Sequence, residues 1–307
     1  MISLSLIKAL NGGLWLMQPE AALTYQPLVN KIINGDDFAF KPKMWKDDSE
    51  EKEIKPEFKV VSLSATTFEP QWQKFEKAVP GSVAVIPLKD VVMQEDFCGS
   101  PGLNTLQSWM TKAENNANII GMIIDTDSPG GSAQGVDEFA QFIKTLKKPV
   151  VSFVGGMACS AGYWIPSASN EIIIANKLCM LGSIGAFSTF YDSSKAREMR
   201  GYREIQVYAP QSTMKNKLFR DITSADKTVA DNAQAQYANR FLKPLVEDFQ
   251  NTVKANRSAH VLKMSADVLA GDVFTGTESL ANGLADSFGN FNYAINRVQE
   301  LAKKQAA

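Results

Sequence analysis

One histidine, His260, occurs in the 307 residues. A zinc site built on several imidazoles is therefore excluded, and a histidine-based catalytic triad has a single residue to draw on. Cysteine is equally sparse: Cys98, Cys159 and Cys179 are too scattered for a disulfide framework and lack metal-ligand spacing. A reducing compartment with no metal and no cofactor is the expectation. Charge of one sign is missing as well, since the formal net charge is -1. No field gathers polyanions, and no basic stripe carries interleaved aromatics, so no nucleic-acid partner is expected. Long apolar runs are also absent. The uncharged stretch from Pro149 to Asn170 is interrupted by Gly155, Gly156, Gly162 and Pro166, which reads as strand, turn and buried helix. The first residues lack a clean apolar signal-peptide core. The expectation is a soluble, cytoplasmic protein without a stable membrane anchor.

What is present is the balance of a globular protein, 45% apolar and 21% charged. Residues 1–36 are read as a helical N-terminal segment around Leu14, Trp15, Leu16, Leu23, Leu28, Ile32 and Ile33. Residues 37–80 are a charged linker and lead-in, and 81–305 form the main domain. Within it, Ser82–Leu88, Ile119–Asp125, Val150–Val154 and Glu171–Ala175 are near-continuous apolar runs of strand length. Val136, Phe139, Ala140, Ile143 and Leu146 form a helical stripe between the second and third. Apolar strands alternating with helices predict an α/β fold whose parallel sheet is covered on both faces. After Ser224, a candidate cap, a helical pattern runs from Val229 to Val253, and Pro244 should interrupt it. Two closing helices follow Thr275, separated by Gly283 and Gly289. No internal repeat is visible.

Two segments carry candidate chemistry. Asp127-Ser128-Pro129-Gly130-Gly131-Ser132 follows a strand and precedes a helix. Its glycines allow close backbone approach to a substrate, and their amides are candidate oxyanion donors; a plain tight turn is the alternative. Gly155-Gly156-Met157-Ala158-Cys159-Ser160-Ala161-Gly162 ends the next strand and opens a helix, with Ser160 beside the amide of Ala161. This is a nucleophile's placement, although a capping serine in a small-residue helix start reads the same way. Both lie at the carboxyl edge of one inferred sheet, where parallel sheets keep their sites. Cys159 faces a different direction from its neighbour, and His260 sits in a polar stretch, so neither is the preferred nucleophile or base.

With these residues the sequence resembles the signal peptide peptidase A family of serine peptidases, including its phage and prophage capsid-protease branch. The resemblance rests on Ser128-Pro129-Gly130-Gly131-Ser132, Ala158-Cys159-Ser160-Ala161-Gly162-Tyr163-Trp164, Gly182-Ser183-Ile184-Gly185, and Thr275-Gly276 followed by Gly283-Leu284-Ala285-Asp286. It covers roughly Gly81 to Gly289. It implies a crotonase/Clp-protease-like fold (a ββα superhelix), a Ser–Lys dyad, ring-shaped homo-oligomers, and peptide or protein substrates. In the phage branch those substrates are capsid or scaffold proteins. Ser160 matches the family's nucleophile, with Gly130, Gly131 and Ala161 around the oxyanion.

The family's lysine matches Lys215 best, with Asn216 in place of an aspartate; the usual preceding glycine is missing, and Lys217 stands close by. A lysine at its ordinary pKa of about 10.4 cannot take a serine proton at neutral pH. Lowering it to roughly 7–8 requires about 3–5 kcal/mol of desolvation, for which Met214, Leu218 and docked substrate are candidates. The expected function is a serine endopeptidase of phage head maturation. The alternatives are a cellular peptide-degrading enzyme, a crotonase-type acyl-CoA enzyme, and a catalytically silent assembly protein.

Overall fold

The computed structural model describes residues 15–17, 57–63, 70–97, 99–190, 192, 194–203 and 205–306. Most of the segment expected to be helical, and the charged stretch 37–56, lie outside these residues. Inside it, Trp15–Met17 is not helix but a strand, β1. Lys59–Leu63 (β2) and Pro70–Lys74 (β3) then form an antiparallel pair. The lead-in thus contributes two strands to the sheet. Val60 and Val61 are fully buried, and Phe58 stacks between Phe75 and Trp109, at 4.4 and 5.0 Å. A few apolar residues next to a charged run sufficed to anchor the segment.

The main sheet continues with Ser82–Val92 (β4), helix Leu103–Glu114 (α1), Ile119–Ser132 (β5), helix Val136–Thr145 (α2) and Val150–Cys159 (β6). Helix Ala161–Ser167 (α3), Glu171–Ile174 (β7) and Met180–Gly182 (β8) come next. The described sheet has ten strands, with β4, β5, β6 and β7 side by side and parallel. This is the mixed α/β, mostly parallel architecture that the sequence implied.

The unbroken apolar runs have a direct physical cause. Successive side chains point to opposite faces, and both faces are covered. Ala84, Ile86, Met122, Ile124, Val154 and Ile172 pack under α1, α2 and α3. Val83, Val85, Ile123, Val151 and Ile173 pack instead against Ala294, Ile295 and Val298. Burying each Val, Ile or Met among them contributes about 1.5–3 kcal/mol.

A less buried excursion follows β8: helices Ser194–Met199 (α4) and Lys217–Ile222 (α5), neither with a buried residue. The long helical pattern is then realised as Lys227–Tyr237 (α6), a π-helical turn over Ala238–Leu242, and Lys243–Asn256 (α7). Pro244 lies in the first turn of α7, where its missing N–H and ring are tolerated, and the π turn absorbs the break. The cap is Asp226, whose carboxylate accepts from the N–H of Thr228 and Val229, rather than Ser224. Phe249 of α7 stacks on Trp164 at 4.4 Å, tying this helix to α3.

Val273–Thr275 (β9), helix Gly276–Ala281 (α8), Ser287–Phe288 (β10) and helix Phe291–Ala306 (α9) close the chain. A buried ion cluster fixes this closure. Arg257 grips Asp286 with both Nη atoms, each at 2.9 Å, and His260 Nε2 lies 2.8 Å from the same carboxylate. The N–H of Ile172 donates to Asp286 at 2.7 Å, and the hydroxyl of Tyr163 donates to the Leu284 carbonyl at 3.0 Å. Burial opposes the charge on Asp286, but Arg257 outweighs it and holds the carboxyl below its ordinary range.

Because that folded pKa is depressed, the stabilisation is complete above the unfolded value of about 3.9 and is lost as pH falls through the folded one. Asp286→Asn leaves Arg257 charged and unpaired, and is expected to cost about 3–5 kcal/mol at pH 7. Urea unfolding should show this deficit relative to wild type narrowing at pH 3. An equal deficit at both pH values would contradict the charge-based account.

Candidate active site

The sheet's carboxyl edge is where the chemistry-bearing segments meet. The Ser-Pro-Gly-Gly-Ser motif was expected to leave the strand and start a helix. It stays in β5 instead, and α2 begins only at Val136, after Gly135. β4 holds it there: Val91 and Val92 stand opposite Gly130 and Gly131. The glycines are sterically required. Gly130 has φ +101°, and a Cβ on Gly131 would lie 2.1 Å from the Val92 carbonyl oxygen. Ser128 Oγ donates to the Asp90 carbonyl at 2.5 Å and accepts from the Gly130 N–H at 3.2 Å.

β6 likewise runs through the glycines expected to turn it, ending at Cys159. The turn falls on Ser160 itself, with φ 56° and ψ −123°. A non-glycine residue reaches this region at a cost of order 1–3 kcal/mol, so its surroundings must impose it. Here the Ser160 N–H donates to the Gly182 carbonyl at 2.8 Å. Its own carbonyl accepts from Tyr163 and Trp164, at 2.8 and 2.9 Å. The side chain makes no capping bond, although Ser160 occupies the cap position of α3. Among the described residues its Oγ has only a long contact, 3.5 Å, to the Gly185 carbonyl, and the residue is fully buried. The capping-serine reading therefore fails.

Two contacts lock the segments together. A Cβ on Gly162 would lie 2.8 Å from the Ser128 carbonyl oxygen, so α3 abuts the β5 motif closely. Asp127 accepts from the Met157 N–H at 3.0 Å, within the stretch where the ladder between β5 and β6 shifts register. This tethering role of Asp127 was missed in the sequence; the only signal for it was an acidic residue next to the glycine motif.

The Gly182-Ser183-Ile184-Gly185 motif supplies both carbonyls facing Ser160, and Ser183 itself has φ 53°. Thr275 and Glu278 form a capping box that starts α8, beside the β8–β9 ladder. Asp286 belongs to the closure cluster, as does His260, which is satisfied there.

The lysines stand apart. Lys215 is exposed in a turn whose carbonyl accepts from Arg220 at 2.7 Å, and Asn216, with φ 55°, starts α5. Lys217 is ion-paired with Asp221. Met214, expected to dry the amine, is 71% exposed. Among the described residues, no lysine nitrogen is within hydrogen-bond distance of Ser160 Oγ. The start of α3, with Ser160 and Ala161, thus lies against the β5 motif through Gly162 and Ser128, whereas Lys215 lies exposed on the excursion after β8. Cys159 and Cys179 are buried.

The chain is similar to several proteins named as proteases. Protease 4 of Haemophilus influenzae is 29% identical, over 74% of this chain and 36% of its own length. Serine protease SPPA of the Arabidopsis thaliana chloroplast is 29% identical, over 60% of this chain and 26% of its own. Capsid assembly protease C of Escherichia phage lambda is 24% identical, over 72% of this chain and 50% of its own. The chain thus spans from about a quarter to half the length of these relatives. Residues 143–305 match the family model for Peptidase family S49, a match that begins just before β6 and contains Ser160, both lysines and the closure cluster. The chain belongs to peptidase family S49.

Proposed function

We propose that the chain is a serine endopeptidase with Ser160 as nucleophile. The observation that carries the reading is the buried, uncapped hydroxyl on a strained turn, at the junction of three motif-bearing segments. Such a turn presents the oxygen with its lone pairs unspent, as nucleophile turns do. Ser160 Oγ attacks the peptide carbonyl, and the oxyanion is held by the amides of Gly131 and Ala161. Of the two glycines, Gly131 is the better donor, because the Gly130 N–H is already bonded to Ser128 Oγ. A lysine takes the serine proton and returns it to the leaving amine, and water then releases the acyl-enzyme. The uncapped hydroxyl also favours acyl transfer over an acyl-CoA reaction, which needs no nucleophile.

Lys215 is the proposed base, delivered across a boundary between copies of the chain. Lys217 is already engaged by Asp221. The excursion bearing Lys215 exposes Met199, Ile205, Val207 and Met214. That apolar surface is what a second copy would cover, consistent with a homo-oligomer. Burying it would also dry the amine.

For biology, the similarity to a capsid assembly protease supports capsid or scaffold substrates within a bacterial cytoplasm or procapsid. The higher identity to Protease 4 favours a second reading, a cellular peptidase. Among the described residues no helix is long and apolar enough to cross a membrane.

Treatment with a fluorophosphonate should add one adduct to the wild-type chain, visible by intact mass, and none to Ser160→Ala. An unmodified wild type would overturn the nucleophile assignment. Lys215→Ala is expected to lower kcat/KM on casein about 10²–10⁴-fold. Mixing separately inactive Ser160→Ala and Lys215→Ala proteins should restore part of the activity; a mixture that stays inactive would place the base within its own chain or elsewhere.

A further inference from the structure

The strand β1 lies against the candidate oxyanion segment. Trp15, Leu16 and Met17 stand opposite Ser132, Gly131 and Gly130 in an antiparallel register. A strand has two edges. At Gly130 and Gly131 one edge is taken by Val91 and Val92 of β4. β1 therefore occupies the other edge, the one that β6 uses further back in β5. The β6 pairing ends where Ala158 meets Ser128, two residues before Ser160. β6 then turns away into α3, and the edge of β5 beyond Ser128 would stand bare next to the nucleophile if β1 were not there.

A bare strand edge takes any extended backbone, because main-chain N–H and C=O groups supply the bonds. Gly130 and Gly131 put no side chain in the way. We infer that Trp15–Met17 is a built-in occupant of the edge on which an extended peptide substrate binds, so that the chain inhibits itself in competition with substrate. The inference rests on the peptidase reading of Ser160 and adds to it the class of ligand, an extended peptide antiparallel to β5, and a means of regulation. A tethered segment competes at an effective concentration of about millimolar, enough to raise an apparent KM roughly tenfold against a ligand of ~0.1 mM affinity.

In an antiparallel ladder, one of any two successive residues exchanges the bonds with its partner. Trp15→Pro and Leu16→Pro together therefore remove a donor whichever residue bonds. In the full chain this pair is expected to lower KM for an extended peptide about tenfold, with kcat within twofold. An unchanged KM, or a lowered kcat alone, would mark β1 as a merely structural strand and overturn the inference. A labelled decapeptide with the sequence of residues 11–20 provides a readout free of catalysis. Followed by fluorescence anisotropy on a Ser160→Ala background, it should bind the double-proline protein about tenfold tighter than the protein with the native segment. Equal affinity, or no binding to either, overturns the inference. The same decapeptide should inhibit the unsubstituted chain competitively, a test that needs no variant to fold. If hydrolysis is absent throughout but the binding difference is present, the peptidase reading fails and the occupied edge stands.

Discussion

The backbone of Ser160 sits where a serine does not go unaided, and much of the candidate site is arranged to keep it there. Its N–H is fixed by the Gly182 carbonyl, and its own carbonyl is committed to the first turn of α3. Gly182 is held in turn because β8 runs parallel to the end of β6 and antiparallel to β9. The strain at one residue is thus offset by ladder bonds drawn from segments more than a hundred positions apart. What this yields is an oxygen aimed away from the helix it would otherwise cap.

That turn depends on the sheet behind it. Parallel strands bury both faces, so their positions are set by side chains packing above and below rather than by solvent. α3 is pinned from outside as well. Trp164 stacks on Phe249, and Tyr163 bonds the Leu284 carbonyl beside the Arg257–Asp286 pair. The closure cluster and the nucleophile turn therefore share one short helix.

The segments of the candidate site are held with unequal firmness. Ser160 and the glycine edge belong to the rigid sheet, whereas Lys215 rides on an excursion with little core of its own and much exposed apolar surface. In the proposed mechanism, a nucleophile on a rigid element and a base on an adaptable one would make activity conditional, because the amine would lose its proton only where another surface dries it. Occupation of the β5 edge by β1 adds a second condition. A peptidase subject to both would remain quiet until assembled and supplied with substrate.

Much of this was legible in the linear sequence. Near-continuous apolar runs in strands bounded by glycine specify a doubly covered parallel sheet, because only a strand buried on both sides needs such runs. The glycine pair at 130 and 131 was legible as a special backbone position, and Gly130 does have a positive φ while Gly131 has no room for a Cβ. Three things depended on partners distant in the chain. The glycine motif remained strand because Val91 and Val92 pair with it, and local turn propensity cannot report a neighbour that is remote in sequence. Trp15–Met17 became strand rather than helix because an open edge was waiting for it. The exposure of Lys215 was equally unreadable, since motif spacing fixes which residues a family carries and not which surfaces are covered in space.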